Sequence, residues 1–247
     1  MEQGLWKTMW TTRPGLVRLT CRGVETRKGN VAVDNSPDAV LKKGLETAGL
    51  PVALAGPLSA YAALLLKWNE RVNLTAITRP IEVVDKHLLD SLAVLPEVPT
   101  GAHRVLDLGA GAGLPGIPWA IVRPDLDVTL VDAVQKKVAF IKAAAASLGL
   151  AGRVHGLHHR ATGQGDTLGT WDVVVSRAFM DVEPWLALAR HYVRPGGVVM
   201  AMVGQAPDPA LVASAAAAAG LSLRSQRRFE LPVSGDGRGV FVFERST

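Results

Sequence analysis

A glycine-rich segment contains the first residues whose types and spacing could do chemistry. It reads Val105-Leu106-Asp107-Leu108-Gly109-Ala110-Gly111-Ala112-Gly113. An apolar run that ends in closely spaced glycines is typical of a buried strand turning into a helix, where a nucleotide cofactor can approach the backbone. Gly111, Gly113 and Gly116 also satisfy the dinucleotide spacing G-x-G-x-x-G, so a nicotinamide-dependent oxidoreductase remains an alternative.

Three features favour S-adenosylmethionine as the cofactor. Asp107 lies inside the predicted strand, two residues before the first glycine, and in this the chain resembles class I methyltransferases. The segment Arg194-Pro195-Gly196-Gly197 before the fifth predicted strand, with the antiparallel end of the predicted sheet, resembles the same class. Pro115 removes an N–H that a pyrophosphate would use at the helix start. The predicted cofactor residues in this segment are Asp107, Gly109, Gly111 and Gly113.

Two charged residues end neighbouring predicted strands. Asp132 comes about twenty residues after the glycines, where a carboxylate can accept both ribose hydroxyls. A capping box between Asp132 and Gln135 would explain the same acid structurally. Arg177 leaves the fourth strand at the same sheet edge, so we expect it in the cleft, where arginine suits carboxylate or phosphate recognition. A surface ion pair, with Asp172 at the start of that strand, is the alternative.

The elements that must position these residues belong to an α/β fold. Short β-branched runs alternate with helical stretches, which predicts a parallel sheet with helical crossovers. The last two strands are joined by a loop alone, so they should pair antiparallel. The clearest helix between strands runs from Val134 to Leu148. The predicted strands are 105–108, 128–131, 154–157, 173–176, 198–203, 221–227 and 240–243.

Three segments are predicted along the chain. Residues 1–36 lack helical or strand periodicity, which predicts a disordered extension; an Arg-rich transit peptide or a basic arm for RNA are alternatives. Residues 37–100 form a helical segment, with helices starting near Pro37 and Pro57 and a third over 81–95 before Pro96. This segment is too small for its own core, so it should pack on the Rossmann-like domain of residues 101–247.

Composition narrows the classes of function. The net charge of +5 is compatible with a polyanionic partner, and no apolar run is long enough to span a bilayer, so a membrane protein is not expected. The single cysteine, Cys21, fits a reducing cytoplasm and excludes zinc held by several cysteines. His155, His158 and His159 have no cysteine nearby and no second ligand cluster, so no metal site is predicted. We expect a cytoplasmic monomer.

Taken together, the motifs resemble the RsmG family, also called GidB, over residues 41–245. The resemblance implies methylation of guanosine N7 in the 530 loop region of 16S ribosomal RNA, with S-adenosylmethionine as methyl donor and the small subunit or its RNA as partner. The motifs that carry it are Trp68-Asn69, Val72-Asn73-Leu74-Thr75, His87-Leu88-Leu89-Asp90-Ser91-Leu92, residues 107–118, Ile121-Val122-Arg123-Pro124 and Ser176-Arg177-Ala178.

The resemblance also implies roles for individual residues. Gly109 and Leu114 would line the methionine and ribose part of the cofactor site, Asp132 the ribose, and Ala161 with Thr162 the adenine, while Arg177 completes the pocket beside the substrate. The helical segment would roof the cleft with its predicted catalytic residues, although buried hydrogen bonding explains these almost as well. Those residues are Asn73, His87 and Asp90, and Asp90 is also the candidate carboxylate beside the cationic product base.

The predicted RNA contacts are Arg123, Lys136 and Lys137; for the two lysines, solvated surface positions are the equal alternative.

Two positions depart from the family pattern. Thr162 stands where the family usually has a glutamate, and Val203 stands where it usually has a lysine. A diverged paralogue with another RNA or protein substrate therefore stays open. So does a catalytically silent ribosome-binding protein.

Overall fold

The computed structural model describes residues 34–177, 180–204 and 207–246. Predictions for residues 1–33, including the disordered extension and its alternatives, lie outside these residues, and so does Ala178 of the Ser176-Arg177-Ala178 motif.

The helical segment begins with two ordinary helices. Helix α1 (Pro37–Thr47) starts with a proline in its first turn, and the Ser36 hydroxyl accepts the Ala39 N–H at 3.3 Å. A 3₁₀ turn, Val52–Leu54, leads into α2 (Ala55–Asn69). The start of α1 thus has the proline that the sequence predicts in its first turn, and Ser36 adds a polar cap.

The third predicted helix differs from the expectation of one regular helix over 81–95. It consists of α3 (Pro80–Val83), a π-helical stretch (Val84–Leu89) and α4 (Asp90–Ala93), which follow one another without a break. The α-helix ends at Ala93 because Pro96 lacks the N–H that would continue it, and a 3₁₀ turn (Leu95–Glu97) takes over. The wider π stretch carries His87, and π-bulges occur frequently at functional sites.

All seven predicted strands are present in one sheet of order β3-β2-β1-β4-β5-β7-β6. Strands β1 to β5 are parallel, and β7 runs antiparallel to both of its neighbours, which confirms the predicted fold class and the antiparallel end. The strands are β1 (Arg104–Leu108), β2 (Asp127–Asp132), β3 (Val154–His158), β4 (Trp171–Arg177), β5 (Val193–Val203), β6 (Leu221–Glu230) and β7 (Gly237–Arg245). The crossover helices are α5 (Gly116–Val122), α6 (Gln135–Ser147), α7 (Val182–Ala189) and α8 (Pro209–Ala218).

Strand β5 starts five residues earlier than the prediction at Val198. Trp171 of β4 pairs with Val193, and the next pair is Val173 with Val198, so the Arg-Pro-Gly-Gly segment is a bulge inside the strand. A Cβ at Gly197 would lie 2.9 Å from the backbone oxygens of Arg194 and Asp172. The bulge brings backbone this close only because Gly197 has no side chain.

The sheet is covered on both faces. On one face, Val105 and Val173 share a core with Leu58 of α2 and with α5 and α6. On the other, Leu106 and Val174 pack with Trp185 of α7 and with α8. Two buried hydrogen bonds fasten the helical segment to the domain: the Tyr61 hydroxyl donates to Ala112 O at 2.6 Å, and the Trp119 indole donates to Ser91 O at 2.8 Å. No helix within the described ranges is long and apolar enough to cross a bilayer.

Candidate active site

The glycine turn, residues 109–113, connects β1 to α5 at the carboxyl edge of the sheet. Gly109, Gly111 and Gly113 have φ values of 71°, 58° and 86°, a region that side chains disfavour. The N–H groups of Gly109 and Ala110 donate to Val131 O at 2.8 and 3.1 Å, which folds the turn over β2. A Cβ at Gly113 would lie 2.5 Å from Ile117 Cδ1, whereas the nearest atom to a Cβ at Gly111 is 3.9 Å away. The turn therefore has open space beside Gly111.

Asp107 lies beneath this turn, fully buried. Its Oδ2 accepts the Gly116 N–H at 3.0 Å, and Oδ1 has no hydrogen-bond partner among the described residues. Burial raises the pKa of Asp107 to about 8, although the Gly116 N–H and the Arg177 charge act in the opposite direction.

The start of α5 has no free N–H to bind a pyrophosphate. Gly116 N–H is taken by Asp107, Ile117 N–H donates to Gly113 O at 2.8 Å, and Pro118 has none. A dinucleotide site uses such N–H groups at the helix start, so the dinucleotide alternative lacks its anchor.

Asp132 ends β2 beside the glycine turn. Its Oδ2 accepts the Gly111 N–H at 3.0 Å and its Oδ1 accepts the Val134 N–H at 2.8 Å. Helix α6 is preceded by Val134 without a side-chain cap, so the predicted capping box is wrong. Each carboxylate oxygen accepts one N–H here and retains a lone pair for a ribose hydroxyl at the ligand edge of the sheet.

The segment after β3 lies at the same edge, since His158 pairs with Asp132. Ala161 is half-buried, and Thr162 is exposed. Thr162 donates to Asp166 Oδ2 from its N–H at 2.9 Å and from its hydroxyl at 3.3 Å. The two predicted adenine residues thus border the same edge as Asp132. Asp166, which binds Thr162, was missed by sequence reasoning.

Arg177 reaches from β4 to the helical segment. Its Nη1 lies 3.0 Å from Lys86 O, 3.2 Å from His87 Nδ1 and 3.4 Å from Asp90 Oδ2. Asp172, at the other end of β4, pairs with Arg194 at 2.6 Å. The alternative that Arg177 makes a surface pair near Asp172 is therefore wrong.

His87 and Asp90 are buried beside Arg177. His87 Nε2 lies 2.9 Å from Thr75 Oγ1, and burial together with the Arg177 charge lowers the pKa of His87 to about 4. Burial raises the pKa of Asp90, and the charges of Arg177 and Arg238 oppose this. His87 is consequently neutral at pH 7, and both ring nitrogens already have polar contacts within the protein.

These residues line a cleft of about 350 Å³ between the helical segment and the sheet edge. Lys86 Nζ and Arg238 Nη2 lie 3.1 and 3.3 Å from Asp236 Oδ2, and Arg238 Nε lies 3.8 Å from Asp90 Oδ1. The lining residues are Ile77, Lys86, His87, Asp90, Arg177, Met202, Val203, Gly204 and Arg238.

Sequence reasoning missed Lys86 and Arg238. Lys86 directly precedes the motif that begins at His87, so its place next to that motif could have marked it as a candidate site residue. Arg238 lies more than 140 residues from that motif, in the first residues of β7, and nothing local distinguishes it from a surface arginine.

Other predicted residues lie away from the cleft. Asn73 is exposed in the loop between α2 and α3 and does not line the cleft. Arg123 follows α5, at the edge of the sheet opposite the glycine turn, and binds Asp125 through two hydrogen bonds of 2.7 and 2.6 Å. Lys136 is exposed in the first turn of α6, and Lys137 Nζ lies 4.0 Å from Asp132 Oδ2.

The three neighbouring histidines each have a separate partner. His155 lies 3.5 Å from Asp127, His158 is 3.1 Å from Ala133 O, and His159 is 2.8 Å from Asp166. Among residues 34–177, 180–204 and 207–246, no group of three or more His, Cys, Asp or Glu side chains is arranged to hold a metal ion.

Comparison with known proteins agrees with this geometry. The family profile described as "GidB: rRNA small subunit methyltransferase G" matches residues 55–230. The chain is 56% identical to "Ribosomal RNA small subunit methyltransferase G" of Myxococcus xanthus over 209 residues, which cover 83% of this chain and 95% of that protein. It is 49% identical to the protein of that name from Anaeromyxobacter dehalogenans (strain 2CP-C), with 83% and 96% covered.

Solved structures share the fold at low sequence identity. TrmN from Thermus thermophilus matches with a TM-score of 0.54 at 22% identity, covering 73% of this chain and 52% of that one. A geranyl diphosphate methyltransferase in complex with SAM matches with a TM-score of 0.51 at 15% identity, covering 63% and 84%. The fold is that of class I S-adenosylmethionine-dependent methyltransferases, and the chain belongs to the rRNA small subunit methyltransferase G family.

Proposed function

We propose that this chain is a cytoplasmic, monomeric enzyme that transfers a methyl group from S-adenosylmethionine to N7 of a guanosine in the 530 loop region of 16S ribosomal RNA. The observation that carries the proposal is the composition of the cleft. It presents three cations, Lys86, Arg177 and Arg238, while its neutral histidine and its buried carboxylate are already engaged. Such a cleft suits an acceptor that needs no general base.

The cofactor residues fit S-adenosylmethionine better than a dinucleotide. Asp132 offers carboxylate lone pairs at the ligand edge, Gly111 leaves open space, and the start of α5 has no N–H for a pyrophosphate. Bound S-adenosylmethionine supplies an electrophilic methyl group, so the protein must align this group with the acceptor atom of the RNA. Asp107 is buried, its Oδ2 is bound to Gly116 at the start of α5, and its Oδ1 has no hydrogen-bond partner among the described residues.

Guanine N7 presents a lone pair in the plane of its ring, so no proton has to be removed before transfer. Acceptors that carry a proton would need a base, and His87 is a poor one because burial and Arg177 lower its pKa to about 4. None of the described residues that line the cleft is a cysteine.

The side chains of the cleft would act by orientation and charge. Holding the reacting groups in line contributes about 7 to 11 kcal/mol in well-oriented systems. Lys86 and Arg238 carry donors that suit RNA phosphates, since each is only partly paired with Asp236. Asp90 lies where a carboxylate would stabilise the positive charge that the guanine gains.

Methyl transfer from labelled S-adenosylmethionine to small ribosomal subunits that lack their N7-methylguanosine tests the proposal. After nuclease digestion, mass spectrometry should find the label in N7-methylguanosine, with Arg123→Gln active and Arg177→Gln deficient. Label in another nucleotide or in protein would indicate the diverged paralogue. Protein that binds S-adenosylhomocysteine but transfers nothing would contradict the proposed substrate. Binding of NADH would indicate the oxidoreductase, and binding of neither would indicate the silent ribosome-binding protein.

A further inference from the structure

One carboxylate in the segment after β3 is the centre of a buried network. Oδ1 of Asp166 lies 2.8 Å from His159 Nε2 and accepts the Leu168 N–H at 3.3 Å. Oδ2 accepts from the Thr162 N–H at 2.9 Å, the Thr162 hydroxyl at 3.3 Å and the Tyr192 hydroxyl at 2.6 Å. The Asp166 side chain is only 1% exposed. Five donors are therefore directed to this one carboxylate.

Tyr192 extends the network to the next residue of the loop. Its hydroxyl accepts the Gly163 N–H at 2.7 Å while it donates to Asp166, and Gly163 has a φ of 85°. Burial and the hydrogen bond to Asp166 raise the pKa of Tyr192 to about 12, so the hydroxyl stays protonated. The ring packs in the core beneath α7 and α8. Consecutive N–H groups of the loop are therefore anchored to the body of the domain.

Asp166 acts on the loop and not on a ligand. Burial alone would raise the pKa of Asp166, but the hydrogen bonds from Tyr192, Thr162 and His159 outweigh it and lower the pKa, so the group is ionised. An ionised carboxylate with five donors around it and almost no exposure has no lone pair to offer a cofactor.

We propose that Asp166 and Tyr192 are positioning residues that fix residues 161–163 for recognition of the adenine ring. The inference rests on the proposed function, because it assumes that S-adenosylmethionine binds with its adenine beside Ala161 and Thr162. Thr162 replaces the acidic residue that the family resemblance leads one to expect, so here the loop's position would determine recognition. The carboxylate of this loop belongs to Asp166, four residues after Thr162, and its side chain is buried.

The test compares two ligands that differ only in the base, S-adenosylhomocysteine and S-inosylhomocysteine, by calorimetry. Tyr192→Phe removes one hydroxyl from the network, and Asp166→Asn removes the charge. Both should lower the preference for adenine about tenfold, because each variant weakens a hydrogen bond that involves a charged group. In steady state, KM for S-adenosylmethionine should rise while kcat at saturation changes less than twofold. Asp125→Asn, at the opposite sheet edge, is the matched control.

Thr162→Val changes an exposed position, so it keeps the test valid if the variants at the buried positions fold poorly. It removes only the 3.3 Å hydroxyl bond and should lower the preference about twofold to threefold. An unchanged preference in folded Tyr192→Phe and Thr162→Val overturns the inference alone, provided that the wild type binds S-adenosylhomocysteine. Failure of the wild type to bind it overturns both this inference and the proposed function.

Discussion

The two halves of the candidate site are built in different ways. The cofactor region, residues 107–116, 132 and 161–166, consists of turns whose N–H groups are bound by nearby carboxylates at 2.8 to 3.0 Å. The cleft gathers charged side chains from the helical segment, β4 and β7, and its ion pairs span 3.1 to 3.8 Å. In the first, carboxylates bind the backbone N–H groups of the turns, and the second is a set of partly paired charges.

This contrast predicts how each half responds to substitution. Changes in the cofactor region should act on cofactor binding and on stability, because its carboxylates hold the backbone N–H groups of the turns. Changes in the cleft should act on transfer, because its cations retain donors for RNA. Arg177 lies between the halves, since its charge affects Asp107 and it contacts His87 and Asp90 directly.

Arg177→Gln should have the largest effect, because it disturbs both halves. It leaves the buried Asp90 with only Arg238 at 3.8 Å, which costs about 3 kcal/mol of unfolding free energy. Methyl transfer should fall roughly 100-fold, the size seen when one preorganised polar group is removed. Denaturant unfolding and the labelled transfer assay measure the two effects. A folded variant that transfers methyl groups at nearly the wild-type rate would show that Arg177 has no role in the site.

Comparison with Asp107→Asn should reveal how one acid of the cofactor region makes the free energy of unfolding depend on pH. The folded pKa is about 8, whereas an unfolded aspartate titrates near 3.9, so the folded state retains a proton that the unfolded state releases. Stability from this group is therefore present at low pH and lost as pH rises towards 8. Between pH 6 and 8 the wild type should lose about 2 kcal/mol relative to Asp107→Asn. Parallel unfolding curves at both pH values would show that Asp107 is ionised when folded.

Gly116→Ala should be a smaller, purely steric change. A Cβ there would lie 2.8 Å from Leu130 Cδ2 and 3.0 Å from Asp107 Oδ2. Overpacking of this kind should cost about 1.5 kcal/mol of unfolding free energy. Gly56→Ala is the matched control, since its Cβ meets no atom within 4 Å in α2. Equal stability of the two variants would mean that α5 and β2 move apart to accommodate the Cβ without any loss of unfolding free energy.

Arg123→Gln should have the smallest effect, although the sequence predicts an RNA contact. It breaks a partly exposed pair with Asp125, worth about 0.2 to 1 kcal/mol, at the edge opposite the glycine turn. Transfer to small subunits, and its dependence on salt, should match the wild type within twofold. A weaker salt dependence would show that RNA reaches this edge after all.

The same contrast explains how much of the site could be predicted from sequence. Asp132 follows from the strand and glycine pattern, because parallel strands bring their carboxyl ends to one edge, whereas Asp107 is singled out by its resemblance to class I methyltransferases. Their hydrogen bonds join residues only 9 and 21 positions apart. The strands and the antiparallel end of the sheet follow from periodicity in the same way.

The cleft could not be predicted by local rules. Arg238 meets Asp90 through tertiary packing across 148 positions, and the π stretch that carries His87 has no period of its own in the sequence. The Arg-Pro-Gly-Gly segment has the composition of a turn and is expected before the fifth strand, whereas it forms a bulge inside β5. Asp166 was missed because its role depends on Tyr192, which comes 26 residues later in the chain, immediately before β5.

One crossed measurement tests whether the two halves have separate roles: the Kd for S-adenosylhomocysteine and the KM for small subunits in Tyr192→Phe and Arg238→Gln. Tyr192→Phe should weaken S-adenosylhomocysteine binding about tenfold and leave KM for subunits within twofold. Arg238→Gln should raise KM for subunits about tenfold and leave the cofactor Kd within twofold. If both variants change both constants in parallel, the halves are a single coupled site and the account is wrong.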